Sequence, residues 1–179
     1  MKTSDIIRER IQQAGADFFA NHNISDYIQP GELDLLTAEV AEQFEGVMQS
    51  LVIDTENDHN TQETAKRVAK MFVKEIFNGR YNPAPKITAF PNMGYQSLYT
   101  TGPISIRSTC AHHFQNITGN CWVGIVPEGQ VIGLSKFNRL VDWISSRPQI
   151  QEEAISQLAD LLMEMVKPDG LAVVMEADH

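Results

Sequence analysis

Within Ser108-Thr109-Cys110-Ala111-His112-His113, one thiol and two imidazoles fall inside a span of four residues. Cys110 and His113 stand three apart, so a single turn can aim a thiolate and an imidazole at one point. Zinc favours this mixed sulfur and nitrogen ligation, and a catalytic zinc needs only three protein ligands because the fourth position is kept open. Either the cysteine and both histidines hold a metal, or one imidazole is spared for proton transfer near neutral pH. The spacing matches none of the usual zinc-finger patterns. Read alone, the cluster fits a reduced structural cysteine beside two surface histidines equally well.

Two basic groups offer a second kind of chemistry. Arg67 and Lys70 lie one turn apart on an expected helix, where they can grip one phosphate group together, although a solvated helix face is the simpler account of that segment. Ser135 falls near the N-terminus of another expected helix, with Lys136 and Arg139 beside it. Free backbone N–H groups and the positive end of the helix dipole make such a place receptive to phosphate. Glu152 sits in the first turn of the last helix, where a carboxylate already suits the dipole. The acidic run 54–60 reads as a solvated loop.

The elements that position these residues follow from periodicity. Ile6, Ile7, Ile11, Ala14 and Phe18 predict a helix over 3–20. Leu33, Leu36, Val40, Phe44, Val47 and Leu51 predict a helix of about five turns with one buried stripe. Asn60 as N-cap with Glu63 in a capping box predicts a helix from Thr61 to Asn78, stopped by Gly79. Residues 80–95, with three prolines, read as an extended connection without regular structure. Leu98, Thr100, Ile104 and Ile106 predict a strand with a bulge at Gly102-Pro103, and Asn116 to Val126 a second strand in which Cys121 is a core thiol. The Cys110 cluster falls in the connection between them. A helix follows from Ser135, the last helix opens at Gln149 with Pro148 in its first turn, and Leu171 to Met175 reads as a buried strand with neighbours on both sides.

Composition sets limits on partners. The chain of 179 residues is 42% hydrophobic and carries a net charge of -9, which argues against a general nucleic-acid or anionic-membrane surface while leaving room for a local basic pocket. No run of about 18 apolar residues occurs, and the first twenty residues lack a signal-peptide core, so the expected location is the cytoplasm. The two cysteines are expected to be reduced. A strand this apolar at the end of the sequence predicts that the natural chain continues.

Taken in order, Thr64 to Met71, Cys110 to Phe114, Val131 to Phe137 with Arg139, and Arg147-Pro148-Gln149-Ile150-Gln151-Glu152 resemble GTP cyclohydrolase I over roughly residues 32–179. The resemblance implies an α+β tunnelling fold of antiparallel strand pairs and two helices, preceded by an N-terminal helical extension. The expected division is a helical region over 1–80 and a catalytic region over 81–179 that lacks its last strand. It further implies a homo-oligomer, a decamer of two pentamers, that uses zinc to open the guanine imidazole ring of GTP, release formate and form 7,8-dihydroneopterin triphosphate for folate-type pterins. By motif, Cys110 and His113 resemble zinc ligands, and His112 and His179 the histidines that move protons. Gln151 and Glu152 resemble the residues on the guanine edge. Arg67, Lys70, Ser135, Lys136 and Arg139 resemble the triphosphate pocket.

Two departures from the family pattern stand out. Ala111 replaces the Glu common between the cysteine and the histidine pair, so that carboxylate's help is absent or supplied elsewhere. The family's third zinc ligand, a Cys two residues past His179, lies beyond this sequence. His112 or His179 is then a candidate to complete the metal shell. The alternative function is a catalytically silent GTP-binding ring subunit or regulatory module of the same fold.

Overall fold

The computed structural model describes residues 1–178, and the chain divides into two compact units, Met1–Pro83 and the part from Ala84 onward. The first unit is helical and the second mixes helices with strands, so the fold is α+β.

In the first unit, α1 spans Thr3–Gln13 and ends earlier than its apolar spacing predicts, because Gly15 turns into the left-handed region at φ 65°. A 3-10 turn, Ser25–Tyr27, leads to α2, Glu32–Ser50. Ile7 and Ile11 of α1 pack with Ile24, Leu36 and Val73 to form this unit's core. The predicted stripe on α2 is buried only in part: Leu36 is covered, while Val47 and Leu51 are 51% and 66% exposed. Periodicity reports which residues share a face and not how far a partner extends along it.

The helix α3 spans Thr64–Lys70 and starts three residues later than predicted, without a side-chain cap. Asn60 does not cap it. The Asp54 carboxylate instead accepts the N–H groups of Glu56 and Asn57, and Asp58 accepts that of Asn60, so these side chains hold the segment in turns. A π-helical turn, Met71–Ile76, continues from α3, and Phe77 N–H reaches Phe72 C=O five residues back at 3.1 Å. Gly79 is no stop signal, for it is buried inside the short α4, Asn78–Tyr81. Arg80 donates to the carbonyls of Phe18, Phe19, Ala20 and His22, which supplies partners to a stretch without regular structure.

The second unit contains β1 (Ala89–Pro91), β2 (Tyr99–Cys110), β3 (Asn116–Val126), β4 (Gln130–Ile132), α5 (Leu134–Ser145), β5 (Pro148–Gln149), α6 (Gln151–Val166) and β6 (Gly170–Asp178). Four strands form a sheet in the order β5-β2-β3-β6, and β1, inside the 80–95 stretch expected to be irregular, pairs with β4 as a separate ribbon. One face of the sheet carries Ile104, Ile106, Cys121, Val123 and Ile125, which pack against Phe137, Leu140, Val141 and Ile144 of α5 and Leu158 and Leu162 of α6. The alternation of β2 and β3 made this side apolar, and the helices cover it.

The bulge is where Gly102-Pro103 predicts it: the register between β2 and β3 shifts between Thr101 and Ile104. Gly102 has φ 145°, and a Cβ there would stand 2.5 Å from Trp122 Cδ1. Two expectations are corrected. Pro148 and Gln149 form a strand and not the first turn of the last helix, which begins at Gln151. Among the described residues β6 pairs with β3 alone, and its side chains alternate, with Val174 57% exposed.

Gly119 is the tightest point in the sheet, since a Cβ would lie 2.1 Å from Glu176 C=O and 2.7 Å from Ala177 Cα. Neither backbone atom can yield without moving β6. Gly119→Ala is expected to destabilise the unit by about 1–3 kcal/mol and to speed amide exchange across Glu176 to Asp178 relative to the α5 amides. Unchanged exchange in β6 would count against this packing.

Candidate functional site

The residues with chemistry cluster where β2 ends. Cys110 is the last residue of β2 and shares the parity of Ile104 and Ile106, so it faces the helix-covered side of the sheet. The turn after it is closed twice: Cys110 N–H donates to Gln115 C=O at 2.8 Å, and Phe114 N–H donates to Cys110 C=O at 2.9 Å. Phe114 takes the left-handed conformation, φ 54°, to complete it. His112 and His113 project from this turn, exposed, with their rings edge to face and centroids 6.2 Å apart.

A second segment is tied to this turn. β5 runs parallel to the end of β2, with Thr109 opposite Pro148 and Cys110 opposite Gln149, and Ala111 N–H donates to Gln149 C=O at 3.0 Å. The next element is α6, whose first residues are Gln151 and Glu152. The Gln151 amide donates to Met175 C=O on β6 at 3.0 Å, while the Glu152 side chain is exposed. The structure therefore brings Cys110, His112 and His113 to the same corner of the unit as the start of α6.

Ser135, Lys136 and Arg139 lie elsewhere in the unit. All three are on the N-terminal turns of α5, with Ser135 the second residue of a helix whose N-cap is Gly133. Phe137, between them, touches the Tyr99 ring at the opposite end of β2, with centroids 6.3 Å apart. That end and Cys110 are the first and last residues of the twelve-residue β2, roughly 30 Å or more of strand apart. Within one chain the basic group and the Cys110 turn do not meet. Arg67 and Lys70 belong to the first unit, on α3, where Arg67 donates to Asn60 C=O and Thr64 Oγ1, both at 3.0 Å. His179 lies outside the described residues.

As a metal centre the corner fits in kind and falls short in number. Cys110 and His113 provide the soft donors zinc prefers, but among the described residues no group of three or more His, Cys, Asp or Glu gathers to hold a metal. Cys121 is not a contributor. It is fully buried in the sheet, and burial pushes its thiol up to about 11.

Periodicity gave no hint of Gln149. It is 2% exposed, and its amide nitrogen donates to Ile144 C=O at 2.7 Å and to Gln157 Oε1 at 3.1 Å. Arg147, also buried, lays its guanidinium over Trp143 at 3.9 Å, a contact for which the spacing of four residues was the available signal.

Comparison with known proteins defines the class to which this chain belongs. Residues 40–179 match the model of the family described as GTP cyclohydrolase I, and the chain belongs to that family. It is similar to the GTP cyclohydrolase 1 of Erwinia tasmaniensis, 42% identical over 135 residues that make up 74% of this chain and 61% of that protein. The Yersinia enterocolitica protein of the same name is 40% identical, over 83% of this chain and 69% of that one. That of Vibrio parahaemolyticus is 32% identical, over 99% and 80%. The match thus spans 61% and 65% of the length of the Erwinia and Aliivibrio fischeri relatives. Among solved structures, the archaeosine synthase QueF-Like in its apo form is 19% identical, with a TM-score of 0.43 over 49% of this chain and 85% of that chain.

The two cysteines should separate chemically. With iodoacetamide at pH 8 on the native protein freed of metal by a chelator, Cys110 is expected to alkylate and Cys121 to stay unmodified until denaturant is added, by a rate ratio of about 10² or more. Peptide mass spectrometry reads this directly, and equal rates would overturn the assignment of Cys121 to the core.

Proposed function

We propose that this protein is a zinc-dependent GTP cyclohydrolase I that hydrolyses the guanine imidazole ring of GTP to formate and 7,8-dihydroneopterin triphosphate, on the route to folate-type pterins. The observation that carries the reading is the parallel bridge between Cys110 and Gln149, because it joins the turn bearing His112 and His113 to the helix start bearing Gln151 and Glu152. Family membership across residues 40–179 supports it.

In this reading Cys110 and His113 would hold zinc, with further ligation from outside the described residues. Zinc, when bound, supplies Lewis acidity that readies a water for attack near neutral pH. His112 and His179 carry protons to and from the nitrogens flanking the attacked carbon. The Glu152 carboxylate accepts from N–H donors on the guanine edge, and Gln151 flanks it. Ser135, Lys136, Arg139, Arg67 and Lys70 hold the triphosphate.

We further propose a tunnelling fold, with a helical region over 1–80 and a catalytic region over 81–179, assembled in the cytoplasm as a decamer of two pentamers. The separation of Lys136 from Cys110 along β2 favours an oligomer, since a neighbouring copy would bring one chain's α5 to another chain's Cys110 turn. A silent GTP-binding subunit is the second reading, favoured by Ala111 and by the two-donor metal corner. It predicts saturable GTP binding without formate.

The deciding assay gives zinc-replete protein GTP and follows formate and the fluorescent oxidised pterin. Absence of both sinks the first reading. His112→Ala should retain GTP binding and lose about 10²–10⁴-fold in turnover. Glu152→Gln should weaken GTP binding by about 1–3 kcal/mol, and Cys110→Ser should lose zinc by elemental analysis. If sites are shared between copies, mixed oligomers of His112→Ala and Lys136→Ala chains recover activity that neither has alone. No recovery would mean that each site is built within one chain.

A further inference from the structure

We propose that Gln149 is a positioning residue that fixes the Cys110–His113 turn against the start of α6, and so sets where the reacting ring lies relative to the held edge of the base. The proposal rests on the functional reading above and deepens it.

Gln149 is tied to three elements at once. Its backbone pairs with Cys110, and its C=O accepts Ala111 N–H at 3.0 Å. Its side-chain nitrogen donates to Ile144 C=O, in the last turn of α5, and to Gln157 Oε1, in the second turn of α6. β5 is only two residues long, so backbone pairing alone gives the turn little purchase on the helices. The side chain supplies the rest. Ser108, two residues before Cys110, adds a long contact from its hydroxyl to Arg147 C=O at 3.4 Å.

The amide's contributions to stability oppose one another, since its nitrogen satisfies Ile144 C=O and Gln157 Oε1 while its oxygen does not gain a partner. Gln149 Oε1 is buried with no hydrogen-bond partner among the described residues. An unmade buried acceptor is costly, and an apolar side chain of similar volume would remove it while taking the donor away from Ile144 C=O and Gln157 Oε1. What an apolar side chain lacks is direction. The two N–H donors aim at Ile144 and Gln157, which fixes the amide plane and with it the path of β5. A displacement of about 1 Å between bound substrate and catalytic groups costs on the order of 10²-fold in rate.

The test compares Gln149→Met, which keeps volume without donors, with Gln157→Leu, which removes one acceptor at a partly exposed site. Each is assayed for GTP affinity, kcat, KM and exchange at the Ala111 amide. The proposal expects Ala111 exchange to rise by about 10-fold or more in Gln149→Met, GTP affinity to change by less than about 3-fold, and kcat to fall by roughly 10–100-fold. Gln157→Leu should show the same split at roughly 3–10-fold in kcat. A role confined to stability would lower the melting temperature and leave kcat of the folded protein intact, and that result overturns the proposal. Should Gln149→Met fail to fold, unchanged kcat and exchange in Gln157→Leu overturn it equally. If the parent releases no formate, the functional reading fails. Ala111 exchange in the two variants still decides whether Gln149 holds the turn.

Discussion

The second unit depends on the burial of one face of one hairpin. β2 and β3 pair along most of their length, and their alternation gathers Ile104, Ile106, Cys121, Val123 and Ile125 on the same side. At about 25 cal/mol per Å² of apolar surface, that side must be covered for the unit to be stable. Covering it with two helices from one chain requires the chain to leave β4, run along the hairpin as α5, cross at β5 and return as α6. The crossing falls beside the end of β2. The site therefore sits where it does because the helix pair has to turn over somewhere, and the turnover meets the hairpin at Cys110.

The same geometry explains which side chains became accessible. The β2–β3 turn projects past the covered region, so His112 and His113 are exposed while Thr109, three residues before His112 and paired with Pro148, is fully buried. Gln149 and Arg147 are buried at the crossing, polar groups in a place where polar groups must find partners. Arg147 lies over Trp143, and the Gln149 amide donates to Ile144 and Gln157. A polar crossing of this kind has a defined geometry, whereas a purely apolar one would allow many of similar energy.

Local pattern made much of this legible. β3 has the predicted bounds, and the bulge in β2, the core position of Cys121 and the apolar faces of α5 and α6 follow from alternation and turn residues. What escaped was non-local or competitive. Nothing within residues 145–152 marks Pro148-Gln149 as a strand, because its partner lies about 40 positions earlier. Asn60 and Glu63 have capping-box spacing, yet Asp54 and Asp58 capture the nearby amides first and delay α3 to Thr64. The stripe on α2 is regular, but its end at Val47 and Leu51 is left exposed. The residue types of the candidate site could be listed from the sequence, while the distance between Lys136 and Cys110 along β2 needed the fold.

The two-residue length of β5 bears on how the unit assembles. The β2–β3 hairpin joins residues close in sequence and closes a short loop. The bridge from Thr109 to Pro148 must close a loop of about 40 residues, whose entropic cost grows with length and is repaid by very few bonds. Its formation has to follow the docking of α5 and α6, which already bring the ends together. In the folded protein the same backbone bridge can open without disturbing the apolar core once the Gln149 side-chain hydrogen bonds to Ile144 and Gln157 are lost. The corner that holds Cys110 and the candidate site is thus expected to be the last part of the unit to set, and to loosen under heat or mild denaturant before the sheet melts.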